Sequence, residues 1–123
     1  MSDFVDFSSQ ETNPQIDIVY DVSPGEVNLK KEKIELIDVR QPSEYDGELG
    51  HIAGSKLIPL DTLMDHVNDL PKDKTIVFIC RSGARSTNAA VIAKDNGLDS
   101  VFNMKGGMLL WNEMGLSVKR SPL

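Results

Sequence analysis

One stretch constrains the fold of this chain more than any other: residues 74–97, KTIVFICRSGARSTNAAVIAKDNG. Residues 75–79 form a short apolar run rich in β-branched side chains, the pattern of a strand buried on both faces and therefore of a parallel sheet. The loop CRSGARS follows, residues 80–86, and after it a stretch of helix-forming character that stops at Asn96 and Gly97, a common helix end. The only cysteine, Cys80, thus sits at the carboxyl end of a strand, in a loop that feeds a helix. In open α/β sheets that edge is where ligands bind.

This placement has chemical consequences. A helix N-terminus presents unpaired N–H groups and a partial positive charge. A tight loop containing Gly83, Ser82 and Ser86 can turn successive N–H groups inward as a nest for an anion. A thiol in such a place is expected to ionise more readily than a free one, and Arg81 and Arg85 add positive charge beside it. Gly83 relieves the steric limits on the loop backbone. A lone cysteine is more often a buried structural residue. Two arginines and a glycine within five residues of it favour a nucleophilic thiolate in an oxyanion-shaped cradle.

At 123 residues the chain is expected to be one domain with a proper core. One cysteine forms no internal disulfide, which fits a reducing compartment and leaves the thiol available. No stretch approaches the roughly 20 apolar residues of a membrane span. The N-terminus, MSDFVDFSSQ, is acidic and lacks the basic and apolar regions of a secretory signal, so a cytoplasmic location is expected. The net charge is −6 and the pI about 4.8, which disfavours nucleic acid or an anionic membrane as partner. Local charge at the loop opposes this global charge, and suits a small anion.

Along the chain, residues 1–15 are polar and read as a flexible arm, with Phe4, Val5 and Phe7 able to dock on the domain. Residues 16–20 read as a first strand. Ser23-Pro24-Gly25-Glu26 matches a capping box with Pro at the first helical position, and opens a short helix to about Lys31. Residues 34–39 read as a second strand and residues 56–58 as a third, stopped by Pro59. Pro42 to Leu49 allows one helical turn before Gly50. Leu60, Leu63, Met64, Val67 and Leu70 recur at helical spacing, as a core-facing stripe ended by Pro71. The strand at 75–79 is the fourth. Residues 100–104 read as a fifth strand, Gly106-Gly107 as a turn, and 108–114 as a last helix that carries a core Trp111 and is capped by Gly115. Residues 119–123 read as a polar tail, the last three lying beyond the domain at 16–120. Strands alternate with helices throughout, so the fold class is α/β: a small, mostly parallel, five-stranded sheet with helices on both faces. One Cys and two His (His51, His66) offer no zinc-site spacing, and no metal or other cofactor is expected.

Six features occur in order: Asp38-Val39-Arg40 after a strand, Glu44-Tyr45, His51-Ile52-Ala53-Gly54, Ile58-Pro59, the loop CRSGARS, and Gly106-Gly107 with Trp111. In this the chain resembles the rhodanese-like sulfurtransferase domain over about residues 23–118. Departures are small: Ser55 stands where the family usually has Ala, and Lys56-Leu57 where an Asn is common. The resemblance implies transfer of sulfane sulfur through a Cys80 persulfide. Arg81, Ser82, Gly83, Ala84, Arg85 and Ser86 would bind the donor. Asp38 and Arg40, otherwise readable as a surface ion pair of little worth, would brace the loop. His51 would be structural. The implied partners are a small anionic donor such as thiosulfate and a thiol, cyanide or thioredoxin-like acceptor, on a monomer or weak dimer. A persulfide carrier and a non-catalytic interaction or regulatory module are alternatives. A cysteine phosphatase or arsenate reductase fits less well, since the phosphatase pattern puts Arg six positions after Cys and here that residue is Ser86.

Overall fold

The computed structural model describes residues 4–120. The strand ahead of the cysteine, Ile76–Ile79, is buried along its whole length and lies inside a six-stranded sheet. In chain order the strands are β1 (Glu11–Thr12), β2 (Tyr20–Val22), β3 (Glu35–Asp38), β4 (Lys56–Leu57), β5 (Ile76–Ile79) and β6 (Val101–Met104); the helices are α1 (Pro24–Lys30), α2 (Pro42–Tyr45), α3 (Leu63–His66), α4 (Ala84–Asp95) and α5 (Gly107–Glu113). The sheet order is β1-β2-β6-β5-β3-β4, parallel throughout except for β1, which pairs antiparallel with β2.

The two-residue period of a strand divides the core. Ile76, Phe78 and Cys80 face one way, into a cluster with Leu63 and Val67 and with Ala89, Ala90 and Ala93 of α4. Val77 and Ile79 face the other way, into a cluster with Val27 of α1, Met108 and Trp111 of α5, Phe102 and Phe7. The small alanines let α4 approach the sheet closely. Cys80 continues the α4-facing row by strand parity, so its sulfur points at the start of the helix that its own loop opens.

The expected mostly parallel sheet with helices on both faces is present, with three local corrections. The sheet has six strands rather than five, because residues 11–12 add the antiparallel edge strand β1. The strand expected at 16–20 begins instead at Tyr20, because the side chain of Asn13 accepts from the N–H groups of Gln15 and Ile16, and Val19 N–H closes a turn on Ile16 O. Residues 4–15, expected to be a flexible arm, pack on the domain. Phe7 is 6% exposed and lies edge-on to Phe102, and Ser8 and Ser9 donate to the Glu26 carboxylate at 2.9 Å each from their N–H groups.

That packing also rearranges the helix cap. Ser23 Oγ accepts from Glu26 N–H at 3.2 Å, as a capping box requires, but Ser23 N–H donates to Ser9 Oγ, not to Glu26. Burial alone would raise the Glu26 carboxyl, but Lys30, Ser9 and Ser8 more than offset it and hold it at about 2. The stripe from Leu60 to Leu70 is split by 3₁₀ turns on either side of α3. Leu63, Val67 and Leu70 are buried, while Met64 is 57% exposed because the tighter turn turns it off the stripe. Lys119, read as tail, forms a two-bond bridge with His51, and Arg120 donates to Glu48 O; residues 121–123 lie outside those described.

Candidate active site

The loop after β5 is shaped from two directions. Gly83, the N-cap of α4, has φ +106°, a left-handed conformation that strains any residue with a Cβ. In that conformation its N–H donates to Cys80 Sγ at 3.0 Å. On the other side, the first N–H groups of α5 take the loop carbonyls: Met108 N–H donates to Cys80 O and Leu109 N–H to Arg81 O. Gly107, read from sequence only as part of a turn, is what permits this contact. A Cβ there would lie 2.5 Å from Cys80 O and from Arg81 O, and its φ is +58°. The carbonyls are therefore drawn toward α5, while the first-turn N–H groups of α4 are left without helical acceptors.

Cys80 is 1% exposed. Its sulfur has a second neighbour, Ser86 Oγ, at 3.2 Å. Ser86 Oγ also lies in hydrogen-bond contact with Asn103 Oδ1, and Asn103 Nδ2 donates to Asp21 Oδ1 at 2.9 Å. The sheet register explains this row: Asp21 pairs with Asn103, and Asn103 with Phe78, on the face covered by α4. A second chain leaves the same Asp21 oxygen. It accepts from Asn13 Nδ2 at 2.9 Å; Asn13 also donates to Thr87 Oγ1, and Thr87 donates to Gly83 O at 2.7 Å. Asp21, Asn103, Ser86 and Thr87 are all buried, as is Asn13. The same segment forms one wall of a cleft of about 540 Å³ whose other wall is Ser82, Gly83 and Ala84.

The expected arginines behave differently from one another. Arg85 is held in a two-point clasp by Glu44, with Nη1 and Nη2 2.7 and 2.8 Å from the two carboxylate oxygens. The hydrogen bonds from Arg85, opposed by burial, hold the Glu44 carboxyl down at about 2, and Glu44 in turn raises Arg85. Arg81 is exposed and, among the described residues, has no ion-pair partner. Asp38 and Arg40 are not a surface pair: their side chains are 0% and 1% exposed, bonded at 2.8 and 2.9 Å. Arg40 also donates to Gly50 O at 2.7 Å and to Glu44 O at 3.2 Å. It fastens the segment that carries Glu44, and so reaches the cysteine loop at one remove. His51 stacks on Tyr45, with ring centres 3.8 Å apart, and its Nδ1 meets Tyr45 O at 3.0 Å. Trp111 is fully buried, with its Nε1 donating to Ser117 O.

The sequence reading therefore located the cysteine loop but missed Asn13, Asp21, Thr87 and Asn103. Their only signal was unpromising: polar residues within or beside apolar runs. Glu44 was noted as part of a motif without its partner.

The family model of the rhodanese-like domain matches residues 23–114. The chain is 33% identical over 87 residues to a sulfurtransferase of Allochromatium vinosum, covering 71% of this chain and 79% of that one. It is 40% identical over 79 residues to the uncharacterised protein YqhL of Bacillus subtilis, covering 64% of this chain and 61% of YqhL. It is also 39% identical over 80 residues to the putative sulfur carrier protein YrkF of the same organism, covering 65% of this chain and 42% of YrkF. The chain thus spans less than two thirds of these last two. Among solved structures, a rhodanese-related protein of Thermoplasma volcanium superposes with a TM-score of 0.76 at 29% identity, covering 82% of this chain and 98% of that one.

Proposed function

The chain belongs to the rhodanese-like domain family, and from that premise we propose that it is a sulfurtransferase working through a persulfide on Cys80. The thiolate attacks the outer sulfur of a donor such as thiosulfate. A sulfur–sulfur bond forms to Cys80 as the donor's own sulfur–sulfur bond breaks, and sulfite leaves with that electron pair. The terminal sulfur of the persulfide, itself anionic, is held by the first-turn N–H groups of α4. A thiol, cyanide or thioredoxin-like acceptor then takes that sulfur and restores the thiolate. Two separate half-reactions give ping-pong kinetics. The observation that supports this most is the cysteine sulfur receiving the Gly83 N–H at 3.0 Å at the mouth of α4. Within the loop, Arg81 meets the donor's oxyanion, while Ser82 and the N–H groups through Ser86 line its path. Asp38 and Arg40 act through Glu44. A single thiol of this kind suits a reducing compartment, the cytoplasm in our reading.

The test is intact mass after the reduced protein is mixed with thiosulfate. A gain of one sulfur, reversed by cyanide and absent in Cys80→Ser, is expected. No gain with thiosulfate, polysulfide or a cysteine-desulfurase donor would overturn the proposal.

One observation favours a second reading, a persulfide carrier served by proteins. Two of the three nearby arginines already have carboxylate partners, Arg40 with Asp38 and Arg85 with Glu44, so the charge offered to a small dianion is modest. Saturable turnover with thiosulfate supports the enzyme. Exchange only with a protein persulfide supports the carrier.

A further inference from the structure

Both hydrogen-bond donors at Cys80 Sγ trace back to one buried carboxylate. Gly83 is held through Thr87 and Asn13, and Ser86 through Asn103, and both chains end on Asp21 Oδ1. Asp21 and Asn13 lie outside the residues that the family model matches. The direction of each bond follows from the chemistry of the groups. Asp21 Oδ1 accepts from both amides, so Asn103 turns its NH₂ toward Asp21 and its oxygen toward Ser86. Asn13 is oriented in the same way, and independently, because its oxygen accepts from two backbone N–H groups.

Ser86 has one hydroxyl proton and two acceptors in reach, Asn103 Oδ1 and Cys80 Sγ. We infer that Asp21 and Asn103 are positioning residues which make the Ser86 hydroxyl a two-position switch: its proton is given to the sulfur of the Cys80 thiolate and returns to Asn103 once Cys80 carries the transferred sulfur. The inference rests on the persulfide reading above. The proton stays bonded to Ser86 Oγ throughout, and only its acceptor changes. In the unloaded state Sγ carries a full charge and takes the proton, at the expense of the Asn103 bond. In the loaded state Sγ is a divalent, uncharged sulfur and a weak acceptor, the charge having moved to the outer sulfur. The proton then returns to Asn103. By giving the proton an acceptor in one state only, Asn103 favours the loaded state over the unloaded one.

The charged groups around this pair are Arg81 and Arg85 on the loop and α4, Asp38 and Arg40 at the end of β3, Glu44 on α2, Asp21 on β2, and Lys105 with Glu11 beyond β6 and on β1. Substitution of Asn103 changes the charge of none of them. Asn103→Leu is close to Asn in size and removes the acceptor.

The experiment is the rate of Cys80 alkylation by iodoacetamide, read by mass on the fully reduced protein from pH 5 to pH 9. Asn103→Leu is expected to raise the rate at pH 6, relative to that at pH 9, by about fivefold, as one hydrogen bond redirected to a charge would do. In a Ser86→Ala background the same substitution is expected to do nothing further. An unchanged profile, or an equal shift without Ser86, overturns the inference. If thermal melting shows Asn103→Leu unfolded, the isosteric Asp21→Asn takes its place, with a smaller shift in the same direction expected; no shift, or an equal shift in the Ser86→Ala background as loss of the Asp21 charge alone would give, overturns the inference. Alkylation needs no sulfur donor. A shift as expected in a protein that takes up no sulfur from any donor would refute the persulfide reading while leaving the Asp21–Asn103 positioning of Ser86 intact.

Discussion

Two carboxylates are buried on either side of the Cys80 loop, and they are satisfied in opposite ways. Asp38, fully buried, faces a guanidinium that is buried with it. Asp21, 4% exposed, faces two side-chain amides and, among the described residues, forms no ion pair. The first arrangement balances charge: Asp38 neutralises Arg40, and Arg40 anchors the segment from which Glu44 neutralises Arg85. It fixes where a strand end and a helical turn lie. The second carries no opposite charge, and orders amides and hydroxyls that have a direction. A charge pair specifies distance, whereas a chain of amides specifies which atom of each group is the donor. The loop's position is thus set from the Asp38 side, and the hydrogen bonds around its sulfur from the Asp21 side.

Both sides converge on one atom, and its removal has the largest effect. Cys80→Ser is expected to abolish sulfur uptake and turnover with the fold retained, checked by intact mass and by melting; residual turnover would show that the two supports serve something other than this thiol. Next in size is the charge-balanced side. Arg40→Leu leaves Asp38 buried without its partner and is expected to cost about 3–5 kcal/mol in denaturant unfolding. Asp21→Asn keeps its amide partners and is expected to cost no more than about 1–2 kcal/mol. Equal losses would erase the contrast between the two carboxylates.

Acid sharpens the comparison further. Glu44 is held at about 2 against an ordinary value of 4.5, so its contribution to stability is complete above pH 4.5 and disappears as the pH falls toward 2. Glu26 is held equally low and adds a second contribution in the same window. Urea midpoints measured from pH 6 to pH 2.5 are expected to fall, and Glu44→Gln to remove part of the fall. An unaltered slope would mean that the clasp on Arg85 does not exist in solution. The smallest expected effect is on donor binding. Glu44→Gln frees the Arg85 guanidinium and is expected to lower the KM for thiosulfate by about two- to threefold, with little change for an uncharged persulfide donor. Arg85→Ala is expected to weaken anionic donors more than neutral ones.

The parts of the molecule that were legible in the sequence are those whose cause is local. The strand, loop and helix around Cys80 follow from 24 consecutive residues, residues 74–97, and the glycine at 83 from the turn it must make. What could not be read depends on contacts between distant residues. Asn103 meets an aspartate 82 positions earlier, and Asn13 meets Thr87 across 74. No periodicity announces such pairs, because a polar residue in a strand looks like an interruption until its partner is known. Residues 4–15 were misread for a related reason. Ser8 and Ser9 look like part of a solvated arm, but the half-buried Glu26 carboxylate accepts their N–H groups. The fate of Arg85 was equally hidden, since proximity to the cysteine in sequence says nothing about which carboxylate reaches it first.

Gly107 has a consequence for exchange of parts between proteins. The heptapeptide CRSGARS contains the thiol, both arginines and the left-handed glycine, yet the seat for its carbonyls belongs to a helix that begins 21 residues after its last residue. Grafted onto a foreign strand and helix, the heptapeptide would bring its chemistry without its mould. The portable unit is the junction of the two helix starts, and inheritance or engineering that moves less than this moves only an ordinary cysteine.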